Sequence, residues 1–166
     1  MAGVLTIVQD SGYSSGGYFL EVGKNISSFV TIDNATANKV DYPLQIPAMG
    51  TTYSYEVWIR CRCDLAPYVK MENFKVWYSL GIPTGHTITV NSDIISAYTQ
   101  PVNILSTKGT RVDFTTKNSE GTSIPLTGIL TNVGDYTSYL IFQLQVGALA
   151  TLGSFSVEYI LQWDEE

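Results

Sequence analysis

The chain has 166 residues, a formal net charge of -6 and only 14% charged residues, against about 25% in a typical domain. That length fits one domain with a substantial core, and the 45% hydrophobic and 12% aromatic shares argue against disorder driven by charge repulsion. No basic patch is present to neutralise phosphates, so nucleic acid is excluded as a partner, and the acidic balance disfavours an anionic membrane surface.

The opening residues Met1 to Val8 carry no positive n-region, and their apolar run is too short for a signal peptide. No stretch approaches the ~18 apolar residues of a membrane span. The expectation is a soluble chain made and folded in a cytosol.

Period-two alternation dominates the pattern, so the elements expected are strands. Val4 to Gln9 is the first. Ser11-Gly12-Tyr13-Ser14-Ser15-Gly16-Gly17 follows as a flexible link, which divides the chain into an N-terminal strand and arm (1–17) and a sandwich domain (18–166). Tyr18 to Val22 and Ile26 to Ile32 flank a turn at Gly23-Lys24-Asn25. Pro43 and Pro47 bracket an edge or loop.

Thr52 to Leu65 alternates most clearly. Tyr53, Tyr55, Val57, Ile59, Cys61, Cys63 and Leu65 fall on one face, and Ser54, Glu56, Trp58, Arg60, Arg62 and Asp64 on the other. This reads as one long strand with a dry and a wet side. Asn73–Ser79, Thr87–Val90, Val112–Thr116 and Ile124–Leu130 are further candidates. Near the end, Leu140, Phe142, Leu144 and Val146 face inward from one strand. Phe155, Val157, Tyr159, Leu161 and Trp163 do so from the last. A loop between Gly147 and Gly153 suggests that these two strands form a hairpin. Nine or ten short strands with frequent turns and no helical period predict an all-β fold, a two-sheet antiparallel β-sandwich of jelly-roll type.

Chemistry-bearing residues are sparse. His86 is the single histidine and follows a Pro-Thr-Gly turn, where it reads as a solvated loop residue. Cys61 and Cys63 share a strand face. A bridge across one residue would be strained, so both read as reduced core thiols. Glu56 and Glu158 are the carboxylates that a sugar-cleaving pair would need, and each reads as a surface residue. Asp33-Asn34 and Asn132-Val133-Gly134-Asp135 fit turn chemistry better than calcium ligation. The sequons Asn25-Ile26-Ser27 and Asn34-Ala35-Thr36 carry no assignment. No catalytic residues, no cofactor and no metal ligands are assigned, and the expectation is a protein that is not an enzyme.

Aromatic residues are the remaining signal. Trp58 and Trp77 lie opposite the inferred core faces of their strands. Exposed, they would offer a protein interface or a carbohydrate platform; covered by a loop, they would be core. Val4, Leu5 and Ile7 join them as interface candidates, because a tethered first strand can add to a neighbour's open sheet edge.

Three stretches carry a resemblance: Tyr55-Glu56-Val57-Trp58-Ile59-Arg60, Asn73-Phe74-Lys75-Val76-Trp77-Tyr78, and Phe155 to Glu166. Across residues 52–166 the sequence resembles the small β-sandwich minor structural proteins of tailed prokaryotic viruses, of the capsid decoration or cement type. The resemblance implies a virion component made in the host cytoplasm. Its partners would be copies of itself, with a trimer as the candidate oligomer, and the major capsid protein. It implies no catalytic residues. The alternative is a carbohydrate-binding or adhesive module, a fibre tip or lectin-like domain.

Overall fold

A computed structural model of the chain describes residues 2–11, 18–21, 29, 31 and 42–166, with the backbone alone for 11 and 18–21. The expected strand Ile26–Ile32, the turn at 23–25, the Asp33-Asn34 pair, both sequons and the link at 12–17 lie wholly or largely outside the described residues.

Ten strands are described: β1 (Val4–Ser11), β2 (Tyr18–Glu21), β3 (Thr51–Tyr53), β4 (Val57–Leu65), β5 (Met71–Leu80), β6 (His86–Asn91), β7 (Arg111–Asp113), β8 (Ile124–Leu126), β9 (Leu140–Gly147) and β10 (Glu158–Glu165). Single turns of 3-10 helix occupy Phe114–Thr116 and Glu120–Thr122. Among the described residues no helix is long and apolar enough to cross a membrane.

All strand pairs are antiparallel and make two sheets. The larger runs β2-β1-β4-β9-β6-β7, with β3 also on β9. The smaller runs β10-β5-β8. The chain is an all-β sandwich, and one apolar cluster fills the space between the sheets. Val57, Ile59, Cys61 and Cys63 enter it from β4, and Leu140, Phe142, Leu144 and Val146 from β9. Phe74 and Val76 enter from β5, while Tyr159, Leu161 and Trp163 of β10 pack against it. Phe114 sits edge-on to Phe142 with ring centroids 5.0 Å apart. Burying such a ring stabilises by roughly 1.5–3 kcal/mol. These inward residues are the ones that alternation marks.

Thr52–Leu65 is not one strand. From Tyr53↔Gln145 to Val57↔Phe142, the β3–β4 side advances four residues while β9 advances three. The extra residue is a bulge. Ser54 stabilises it, since its N–H donates to Leu144 O at 2.9 Å and its Oγ accepts from Leu144 N at 3.0 Å. The candidate at Val112–Thr116 also stops early, because the Asp113 carboxylate accepts from Thr115 N and starts a 3-10 turn.

The C-terminal hairpin does not form. β9 is flanked by β3 and β4 on one side and β6 on the other, so it has no edge to offer. Residues 148–157 carry the chain across to the smaller sheet, where β10 pairs with β5. Nor is β1 a free strand. It pairs with β4 from Val4↔Leu65 to Asp10↔Trp58 and with β2 on its other side, all within one chain.

Candidate functional site

The outer face of β4, the wet side of the alternation, is covered. Residues 92–110, between β6 and β7, fold back over it. Their backbone is tied down at several points: Tyr139 N donates to Ile95 O at 2.7 Å, Gln143 Nε2 to Ile104 O at 2.7 Å, and Lys108 N to Glu56 Oε1 at 2.7 Å. Thr110 N also donates to the Asp93 carboxylate.

Beneath this cover lies a second apolar cluster. Trp58, only 1% exposed, packs with Tyr139 and Ile141 and is overlaid by Ile95 and Tyr98. The Tyr98 and Tyr139 rings meet Trp58 edge-on at 5.2 and 5.3 Å. Such pairs contribute about 0.5–1.5 kcal/mol beyond burial.

Charges surround the cluster. Glu56 Oε2 accepts from Trp58 Nε1 at 3.1 Å, and Glu56 Oε1 lies 3.7 Å from Arg111 NH1. Burial pushes the Glu56 carboxyl above its ordinary value, against the pull of Lys108 N and Arg111. It also lowers the Arg111 guanidinium to about 10, with Glu56 pulling the other way. Desolvation therefore outweighs the mutual attraction of this pair. Arg111 also donates through NH1 to Ile141 O at 2.8 Å and through NH2 to Thr89 O at 3.0 Å. Nearby, Asp10 of β1 pairs with Arg60 at 3.1 Å and accepts from the Tyr139 hydroxyl. Arg60 stacks over the Tyr136 and Tyr139 rings at 4.0 and 4.7 Å. This arrangement fastens a long segment onto a sheet.

The sequence candidates are therefore dispersed. Trp58 is buried under the segment, so its reading as an exposed interface or sugar residue is corrected. Trp77, half-buried, lies on the outer face of the smaller sheet opposite Ile160, so no groove is lined by both tryptophans. Val4 is 48% exposed, whereas Leu5 and Ile7 are half-buried against the core. Glu56 is buried, not a surface residue, and Glu158 stands on the other sheet. Cys61 and Cys63 are buried free thiols, and burial pushes Cys61 up to about 12. His86 opens β6 and meets the Phe155 ring edge-on at 4.9 Å, so it is half-buried and not a solvated loop residue. The Asp135 carboxylate accepts from Thr131 N and Asn132 N, both at 2.8 Å, which is turn chemistry. Among the described residues, no three His, Cys, Asp or Glu side chains gather to hold a metal.

Sequence reasoning missed Asp10, Arg60, Arg111 and Tyr139. One signal was available: a tryptophan in an otherwise polar row calls for something to cover it.

The remaining feature is exposed apolar surface at both ends of the sandwich. At one end Val4, Leu65, Tyr68, Val69, Ile129 and Val133 are exposed. They are brought together by Val4↔Leu65, by the Met71↔Leu130 bridge and by Gly134 N donating to Cys63 O. At the other end stand Met49, Leu149 and Leu152.

No family model, no curated protein and no solved structure matches this chain.

Proposed function

We propose that this chain is a structural component of a virus particle, of the capsid decoration or cement type, acting without catalysis. Its partners are copies of itself and the major capsid protein, and its site of action is the virion. The observation that carries the reading is the exposed apolar surface at both ends of the sandwich. Exposed apolar side chains gathered at the ends of a fold are candidates for association surfaces. A sandwich set between shell subunits would contribute interface area at each end, and that needs no chemistry.

The finer jelly-roll assignment belongs to this proposal. What supports it is that from β4 onward the chain changes sheet at every strand except β7, which stays beside β6 in the larger sheet.

The test is isolation of virus particles from producing cells, with this chain quantified by mass spectrometry. A fixed copy number per particle, in ratio to the major shell subunit, is expected. Absence from purified particles overturns the reading.

A second reading, a carbohydrate-binding module, is favoured by one observation. Trp77 and Ile160 form a cross-strand pair on an outer sheet face, beside Lys75 and Gln162. A glycan array probed with the chain and with Trp77→Ala tests it. Binding lost in the variant would favour this reading over the first.

A further inference from the structure

The segment that covers β4 buries little of itself. Within residues 92–110 Pro101 is buried, Ile95, Tyr98 and Ile104 are half-buried, and every other residue is exposed. The groups beneath are the reverse: Glu56, Trp58, Tyr139, Ile141 and Gln143 are all buried. Segments that bury few of their own side chains open at the lowest free energy.

The two feet of the segment are fastened to each other. Ser92 N donates to Thr110 O at 2.9 Å, Asn91 Nδ2 to Asp93 O at 2.8 Å, and Thr110 N to the Asp93 carboxylate. These bonds extend the β6–β7 pairing beyond Asn91↔Arg111. Gly109, at one foot, has a φ of 74°, in the left-handed region that favours glycine. Farther along, Asn103 Oδ1 accepts from Leu105 N and Ser106 N, both at 2.8 Å. None of these bonds breaks when the middle lifts, which is the behaviour of an Ω-loop with closed ends. The middle is tied to the sheet through Ile95 O, Ile104 O and Lys108 N, and the last of these ends on the buried Glu56 carboxyl.

We propose that residues 94–108 are a strap that lifts from β4 as a unit while both sheets stay paired, and that Glu56 is its latch, released when the carboxyl ionises. The charged groups acting on Glu56 are both cationic: Arg111 of β7 and Lys108 of the strap itself. Trp58 of β4 donates to it, and Thr89 and Gln143, paired across β6 and β9, are neutral. Burial still raises the carboxyl above its ordinary 4.5. The closed strap therefore holds the proton more tightly than the lifted one, in which water reaches the group. Lifting becomes easier as pH rises from 4.5 through the folded value. Thr110 holds the Asp93 carboxyl below its ordinary 3.8, so the feet stay closed over that range. The motion lays bare Trp58 and Tyr139 within one chain and needs no partner, so it stands apart from the proposed function.

Hydrogen exchange at single amides of the full chain, corrected for intrinsic rates, tests this. Lys108 N and Tyr139 N lose their acceptors when the strap lifts, whereas Ile141 N keeps Asn91 Oδ1. The first two should exchange about a hundredfold faster than the third. Their opening should rise severalfold from pH 4.5 to neutrality, and should not change with pH in Glu56→Gln. Tyr98→Ala, which removes the ring over Trp58, should raise opening at every pH and keep the profile. Lys108 and Tyr139 amides that exchange together with Ile141 overturn the strap. A pH profile that persists in Glu56→Gln overturns the latch. Should that variant fail to fold, a flat profile in Tyr98→Ala overturns the latch instead.

Discussion

Trp58 donates its indole N–H to Glu56, two residues earlier in the chain, and both side chains are buried on the face that alternation marks as wet. The bond is 3.1 Å long. It joins the apolar cluster to the charges that hold residues 92–110, so the two act together. Replacing Glu56 with Ala removes the acceptor for Trp58 Nε1 and Lys108 N and leaves Arg111 without its carboxylate. The expected loss is about 3 kcal/mol in urea unfolding, with a red shift of Trp58 emission as water enters.

The two tryptophans should separate sharply. Trp58→Ala leaves a cavity under the covering segment and should cost about 3–5 kcal/mol. Trp77→Ala trims a half-buried outer-face side chain and should cost about 1 kcal/mol. Equal costs by chemical unfolding would contradict the placement of these residues.

β1 is a structural strand. Val8, fully buried between β2 and β4, should not tolerate Asp, and the loss should exceed about 3 kcal/mol. Val4→Asp at the exposed end of the same strand should change stability by no more than about 0.5 kcal/mol. A melting temperature unchanged in Val8→Asp would mean that the strand detaches without consequence.

Acid should loosen the turn at 131–135. Two backbone N–H groups hold the Asp135 carboxyl below its ordinary value of 3.8. A depressed folded value means the contribution is present above 3.8 and is lost as pH falls through the folded value. Asp135→Asn should therefore melt lower than the parent at neutral pH, and the gap should close in acid. Glu56 runs the other way. Its raised value means that the part of the stability linked to its protonation is present below 4.5 and is lost as pH rises through the folded value, while the bonds from Trp58 and Lys108 persist.

The thiols should be silent in the folded state. Cys61, pushed up to about 12 by burial, is a poor nucleophile at neutral pH, and Cys63 is shifted up for the same reason. Labelling by iodoacetamide should proceed at the rate of global unfolding. Prompt modification of native protein would show that this face of β4 opens locally.

Much of the fold was legible because strand alternation is a local property. Val57, Ile59, Cys61 and Cys63 point inward because successive residues of a strand point to opposite sides, whatever lies beyond it. The bulge at Ser54 was not legible, because it depends on the register against β9, some ninety residues away. The hairpin expectation at the C-terminus failed for a similar reason. Two strands with a suitable loop between them look adjacent, yet β9 had already used both of its edges. Of the candidate site, Val4 and Trp77 could be placed on a face from alternation, but their exposure could not.

By itself, the sequence determined the strand class, the inward residues of each strand and a surface poor in charge. Those follow from side-chain period and composition, which need no partner. Only the tertiary structure decided that the wet face of β4 is dry, that Trp58 and Trp77 lie on different sheets, and that Met49, Leu149 and Leu152 stand at one end. Each of these depends on segments distant in the chain arriving at the same place, and only the packed fold specifies such an arrival.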